Sequence, residues 1–143
     1  MVQASDVTDL LLPLSPRPTP PDGIAISAAA EACGLSVDAL RYYEKQGLLL
    51  AATGRDSRSR RRYTSSDLVW ISGLVMLRET GMPIARMRDM AEFYRTPGTE
   101  LERLRLLAEH RDQVVVEQRR IAAHLSAIEA KIASYERALR RAH

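Results

Sequence analysis

The sequence predicts a mainly α-helical protein: a winged helix-turn-helix head with a short two-stranded wing, followed by a long C-terminal helix that pairs as a coiled coil. Three observations carry this prediction. Two short helical stretches are closed by Gly34 and Gly47, the punctuation of two helices joined by a tight glycine-containing turn. Five arginines fall between Arg55 and Arg62, with a short apolar run on the N-terminal side, as in a basic hairpin. From Thr99 to Leu139 the chain has neither glycine nor proline. A helix of that length extends about 60 Å, twice the span of a small domain, and needs a partner.

The elements follow in order. Residues 1–22 hold five of the seven prolines (Pro13, Pro16, Pro18, Pro20, Pro21), which remove backbone donors and hold their neighbours extended. A disordered tail is expected there. The head then occupies residues 23–96. Ser27 is the expected cap of a short helix reaching about Cys33, with Ile26, Ala29 and Ala32 inward, and Gly34 stops it. Ser36 caps a second helix, Val37 to Gln46, ended by Gly47. Leu35 and Leu40 are placed between the two. Leu48–Leu50 and Arg62–Tyr63 are the expected strands of the wing. Thr64, with Asp67 near the reciprocal position, opens a third helix carrying Leu68, Ile71, Leu74, Val75 and Met76 and closing near Gly81. Pro83 suits the start of a fourth, reaching about Tyr94 with Ile84, Met87, Met90 and Tyr94 on one face. Pro97-Gly98 breaks the chain again.

The long helix, residues 99–140, carries its own pattern. Ile121, Leu125, Ile128, Ile132, Tyr135 and Leu139 recur at alternating spacings of four and three, a coiled-coil seam. The register extends back to Val114, Leu107 and Leu104, with Gln118 and Arg111 interrupting it. For that earlier half, pairing and packing on the head are both open. The spacing does not set the orientation of the paired helices.

Charge narrows the function. The formal net charge of the 143 residues is only +3, but Ser36–Arg62 holds seven cations against three anions. A positive field focused on one segment is what phosphate binding requires. The single cysteine, Cys33, rules out an internal disulfide and a cysteine-rich zinc module. No apolar run approaches a membrane span, and the Leu10–Leu12 patch lacks the flanks of a secretory signal. A cytoplasmic, non-enzymatic protein is expected. No Ser/His/Asp or Cys/His set, plausible carboxylate pair or phosphate loop is present, and no cofactor or metal is implied.

Several segments together resemble the MerR family of transcription regulators. They are Ile26-Ser27-Ala28-Ala29-Ala30, Gly34-Leu35-Ser36, Leu40-Arg41-Tyr42-Tyr43-Glu44 followed by Gly47-Leu48, Arg61-Arg62-Tyr63-Thr64, Asp67-Leu68 and Gly81-Met82-Pro83-Ile84. The resemblance covers about residues 24–95, and the pairing helix extends it to 139. It implies a homodimer with antiparallel pairing helices, bound to double-stranded promoter DNA. It further implies activation by bending and untwisting a promoter whose −35 and −10 elements lie too far apart, with RNA polymerase as partner; repression by occupancy and an adaptor role are the alternatives. By resemblance, Arg41, Tyr42, Arg61 and Tyr63 lie against the DNA backbone, and Arg58 and Arg60 are added as candidate contacts. Beside the resemblance, Arg41 offers a two-pronged donor for phosphate or guanine, its plainer role being a surface ion pair with Glu44. Tyr43 points about 100° from Tyr42 and belongs to the core.

The chain also departs from that family. Asp38 stands where a basic residue facing the major groove is common. Either it accepts from a cytosine amino group or the helix sits differently. The effector is not legible. Metal-sensing relatives carry cysteines around the pairing helix and this chain has none there, so thiolate sensing of metals is not expected. His110 and His124 are read as solvated, and Cys33 as a small buried filler rather than a redox sensor. No ligand domain follows the long helix, as in a small subgroup resembling the aldehyde- and stress-responsive members. Trp70, Met87, Met90, Phe93 and Tyr94 either line an apolar pocket for a small effector or simply pack the core.

Overall fold

The computed structural model describes residues 19–50 and 61–143. The N-terminal stretch through residue 18 and the expected wing tip, residues 51–60 with Arg55, Arg58 and Arg60, lie outside the described residues. Among the described residues the helices are α1 (Ile26–Ala32), α2 (Val37–Lys45), α3 (Ser65–Glu79), α4 (Ile84–Arg95) and α5 (Glu100–Ala142). None is long and apolar enough to cross a membrane. The chain divides into two compact units, one ending at Leu106 and the other running from Leu107 to His143.

Of the stretch expected as a tail, residues 19–22 are described. Gly23 N–H donates to the Pro20 carbonyl at 2.8 Å, closing a turn, and the Thr19 and Ser65 hydroxyls lie 2.9 Å apart. Ile24 and Tyr63 then exchange both backbone hydrogen bonds, at 2.8 and 2.9 Å, as an isolated antiparallel bridge. Gly23 makes this approach possible. Its φ is +82°, and a Cβ there would sit 2.7 Å from the Tyr63 carbonyl oxygen, a contact only glycine avoids.

That pairing also sets where α1 begins. The helix starts at Ile26, and its N-cap Ala25 makes no side-chain bond, so Ser27 is not the cap. The tie between Ile24 and Tyr63 fixes the chain two residues ahead of the first residue of the helix. In α2 the side-chain cap is present: Ser36 Oγ accepts from Ala39 N–H at 3.1 Å. That helix ends at Lys45 with Gln46 as C-cap. The two helices close over a core of Ala29, Ala30, Cys33, Leu40, Tyr63, Leu68 and Ile71, against which Leu35 packs.

In α3 the capping box is reciprocal. Thr64 Oγ1 accepts from Asp67 N–H at 3.3 Å, and the Asp67 carboxylate accepts from Thr64 N–H at 2.8 Å. Leu68, Val69, Trp70 and Ile71 are all buried in succession. This helix is therefore covered on several sides, unlike a helix with one apolar stripe. Met76, expected inside, is 38% exposed, and Leu77 is buried instead. In α4, Met87, Met90 and Tyr94 are buried as their spacing predicts, together with Ala91.

The expected first strand of the wing is absent: Leu48–Leu50 is not extended into a sheet. Strand carbonyls need a neighbouring strand's donors, and here side chains take them. Trp70 Nε1 donates to the Leu48 carbonyl at 2.7 Å. The Arg95 guanidinium donates to Gly47 at 2.6 Å, to Leu50 at 3.3 Å and to Leu49. On the far side of the wing, Tyr63 pairs with Ile24 rather than with Leu48–Leu50.

The second unit is helical from Leu107 to Ala142. Ile121, Leu125, Ile128, Ile132, Tyr135 and Leu139 are each at least half exposed, while Val114 is half-buried.

Candidate nucleic-acid interface

In α2, positions three apart face the core and the two between them face solvent. Leu40 and Tyr43 are buried, 0% and 6% exposed, whereas Tyr42 is 47% exposed. A rotation of 100° per residue separates the two tyrosines, and their rings sit 6.5 Å apart. Burial raises the pKa of the Tyr43 hydroxyl, with Arg78 opposing. The side chains of Arg41 and Asp38 are 66% and 98% exposed. Their closest approach is 4.0 Å, too long for a hydrogen bond. Arg41 thus keeps its donors and Asp38 its acceptors for another molecule.

Glu44 does not serve Arg41. Its carboxylate accepts from Arg61 Nη1 at 3.0 Å, tying the last turn of α2 to the wing exit. The Arg61 side chain is only 11% exposed, and its guanidinium carbon lies 5.5 Å from the centre of the Tyr63 ring. Tyr63 itself is fully buried. Burial first, and then the nearby Glu44 carboxylate, push its hydroxyl up to about 12.

The resemblance places Arg41, Tyr42, Arg61 and Tyr63 together against DNA. Arg41 and Tyr42 stand on the open face of α2. Arg61 and Tyr63 are drawn inward, because the Glu44 carboxylate satisfies the cation and the α1–α3 core encloses the ring. A phosphate cannot meet the Tyr63 ring without opening that packing. Arg62, not singled out by the sequence, donates to the Gly23 carbonyl at 2.8 Å and so braces the same junction. Arg58 and Arg60 lie outside the described residues.

The five residues offered as an effector pocket are mostly committed to the core. Trp70, Met87, Met90 and Tyr94 are buried, and Phe93 is half-buried. The Trp70 and Tyr94 rings meet at 5.0 Å, and the Arg103 guanidinium lies 4.5 Å from the Tyr94 ring centre. Cys33 is buried. Its sulfur donates to the Leu68 carbonyl and accepts from the Ser72 hydroxyl, both at 3.7 Å. Burial raises its pKa against that hydroxyl bond, which disfavours the reactive thiolate. His110 is buried rather than solvated, and burial lowers its pKa; His124 is exposed, as expected.

Arg95 was missed by sequence reasoning. It lies 45 to 48 residues from the carbonyls it binds, and no local pattern announces a contact at that separation.

Comparison with known proteins accords with this geometry. The family described as MerR HTH family regulatory protein matches residues 24–93. An uncharacterized HTH-type transcriptional regulator of Haemophilus influenzae is 36% identical over 111 residues, 77% of this chain and 82% of that protein. The HTH-type transcriptional regulator YyaN of Bacillus subtilis is 31% identical over 128 residues, 78% of this chain and 89% of the relative. Among solved structures, HiNmlR, described as a MerR family regulator lacking the sensor domain and bound to promoter DNA, superposes with a TM-score of 0.72 at 36% identity. That match covers 80% of this chain and 90% of HiNmlR.

Proposed function

The chain belongs to the MerR family of DNA-binding transcription regulators, which are not enzymes, and from that premise we propose that it binds promoter DNA as a homodimer and activates by distorting an overlong promoter spacer. The observation that carries this reading is a pair of features on one chain. Arg41 and Tyr42 stand open on α2, and the seam from Ile121 to Leu139 is exposed along most of its length. A two-fold dimer built on that seam, with Val114 at its inner end, carries two copies of α2. Their two half-sites then mirror the protein's symmetry.

Arg41 donates to phosphate or to a guanine edge, and Tyr42 donates its hydroxyl to phosphate. Arg61 acts from behind, holding the wing exit against α2 through Glu44, and Tyr63 holds it to Ile24. Arg58 and Arg60 add further contacts to the DNA. Asp38 repels phosphate unless it accepts from a base donor, and the amino group of cytosine is the donor suited to a carboxylate in the major groove. Two heads gripping either side of a central step supply the free energy for bending and untwisting, which costs of order 1–6 kcal/mol for a site of this kind. RNA polymerase is the partner that uses the realigned elements. A small-molecule or stress effector would shift the dimer between states. The promoter-bound HiNmlR, which lacks the sensor domain, supports the reading of this chain as a promoter-DNA binder. The site of action is the cytoplasm, where bacterial promoters lie.

The test is transcription in vitro from two promoters differing only in spacer length. The expected result is increased output from the lengthened spacer and none from the standard one. Lowered output from both promoters would replace activation with repression by occupancy.

A further inference from the structure

We propose that Arg95 is a positioning residue for DNA reading: it fastens the segment leaving α2, the helix that carries Arg41 and Tyr42, to the end of α4. The proposal rests on the function given above.

The four consecutive carbonyls of Gly47, Leu48, Leu49 and Leu50 all accept from side chains of the helices behind them. Trp70 Nε1 takes Leu48 at 2.7 Å. Arg95 takes the other three, Nη2 binding Gly47 and Leu49 and Nε binding Leu50. Its remaining nitrogen, Nη1, donates to Glu92 at 3.4 Å, which orients the planar group. A guanidinium offers several donors in one rigid fork, whereas an ammonium is a single point of charge on a flexible stem. The fork holds its donors in one fixed plane, whereas the three donors of an ammonium rotate.

The consequence lies in what the segment connects. The segment follows directly on α2, with Arg41 and Tyr42 on the open face of that helix. The phosphates these two side chains meet depend on how the end of α2 is held, and residues 47–50 hold it. Arg95 is also the last residue of α4. Its neighbour Tyr94 meets Trp70 at 5.0 Å and Arg103 of α5 at 4.5 Å. A shift of the final turn of α4 is therefore delivered directly to the path out of α2.

The experiment compares the full-length wild type with Arg95→Lys and Arg95→Ala on a duplex that the wild type selects from genomic fragments. Affinity is measured against salt concentration at a temperature where circular dichroism shows each protein folded. The expected result is a salt dependence shallower by one unit or more in both variants, since each lost phosphate contact removes about 0.9 from the slope. Arg95→Lys carries the test even where Arg95→Ala does not fold, because it keeps the charge and the helix propensity. A wild-type slope in Arg95→Lys overturns the proposal, whatever happens to the melting temperature, because a purely structural role weakens the fold without changing the phosphates engaged. Failure of the wild type to select any duplex removes the parent reading and this proposal with it.

Discussion

Thr64 and Asp67 satisfy two orphan donors at the start of α3 by exchanging hydrogen bonds. Burial raises the pKa of the Asp67 carboxyl, and the bonds from Thr64 oppose that shift. Losing an N-cap hydroxyl costs about 1 kcal/mol, so Thr64→Ala is expected to lower the unfolding free energy by that amount, measured by denaturant titration. An unchanged midpoint would show that the cap contributes nothing. Such partners, three residues apart, can be read from the sequence directly. The same locality suggested that Arg41 pairs with Glu44 across one helical turn. It does not, because Arg61, 17 residues away, takes the carboxylate. The enclosure of the Tyr63 ring by the core is likewise set by segments distant in the chain.

Helices α1 to α4 follow their caps and glycine stops to within a residue or two. These signals act through bonds to the nearest turn, which is why they are legible. Leu48–Leu50 is the counterexample. Three apolar residues suit a strand, but a strand needs a partner, and side chains from α3 and α4 occupy the carbonyls it would offer. The stalk shows the opposite relation, a face legible in the sequence and still open on the single chain. Leu125 is 53% exposed, and burying a leucine is worth roughly 1.5–3 kcal/mol. Leu125→Glu is expected to weaken self-association at least about tenfold and to shift sedimentation toward a single chain. Unaltered sedimentation would mean that the seam does not pair.

For the whole molecule, His110 ties stability to pH. Burial lowers its pKa below the ordinary value of 6.5. As pH falls through 6.5 the unfolded chain takes up a proton that the folded chain refuses, so the stabilisation is complete above that value and declines below it. The expected outcome is a melting temperature that drops between about pH 7 and pH 5, with the drop reduced in His110→Gln. An identical pH dependence in the variant would remove His110 as its cause.

The sequence alone determined the helical class, the order of the helices, the family and the pattern of the exposed apolar face of α5. Each depends on periodicity, local capping or a motif of adjacent residues, and these are properties of a one-dimensional chain. Tertiary structure decided which charged groups face outward and which are spent inside. Arg61 and Arg95 are both arginines with nothing local to distinguish them from Arg41. The first is held by Glu44 and the second by three carbonyls, while Arg41 stays open. A long cationic side chain takes whichever acceptor the fold brings within reach, and that acceptor is set by distant segments meeting in space.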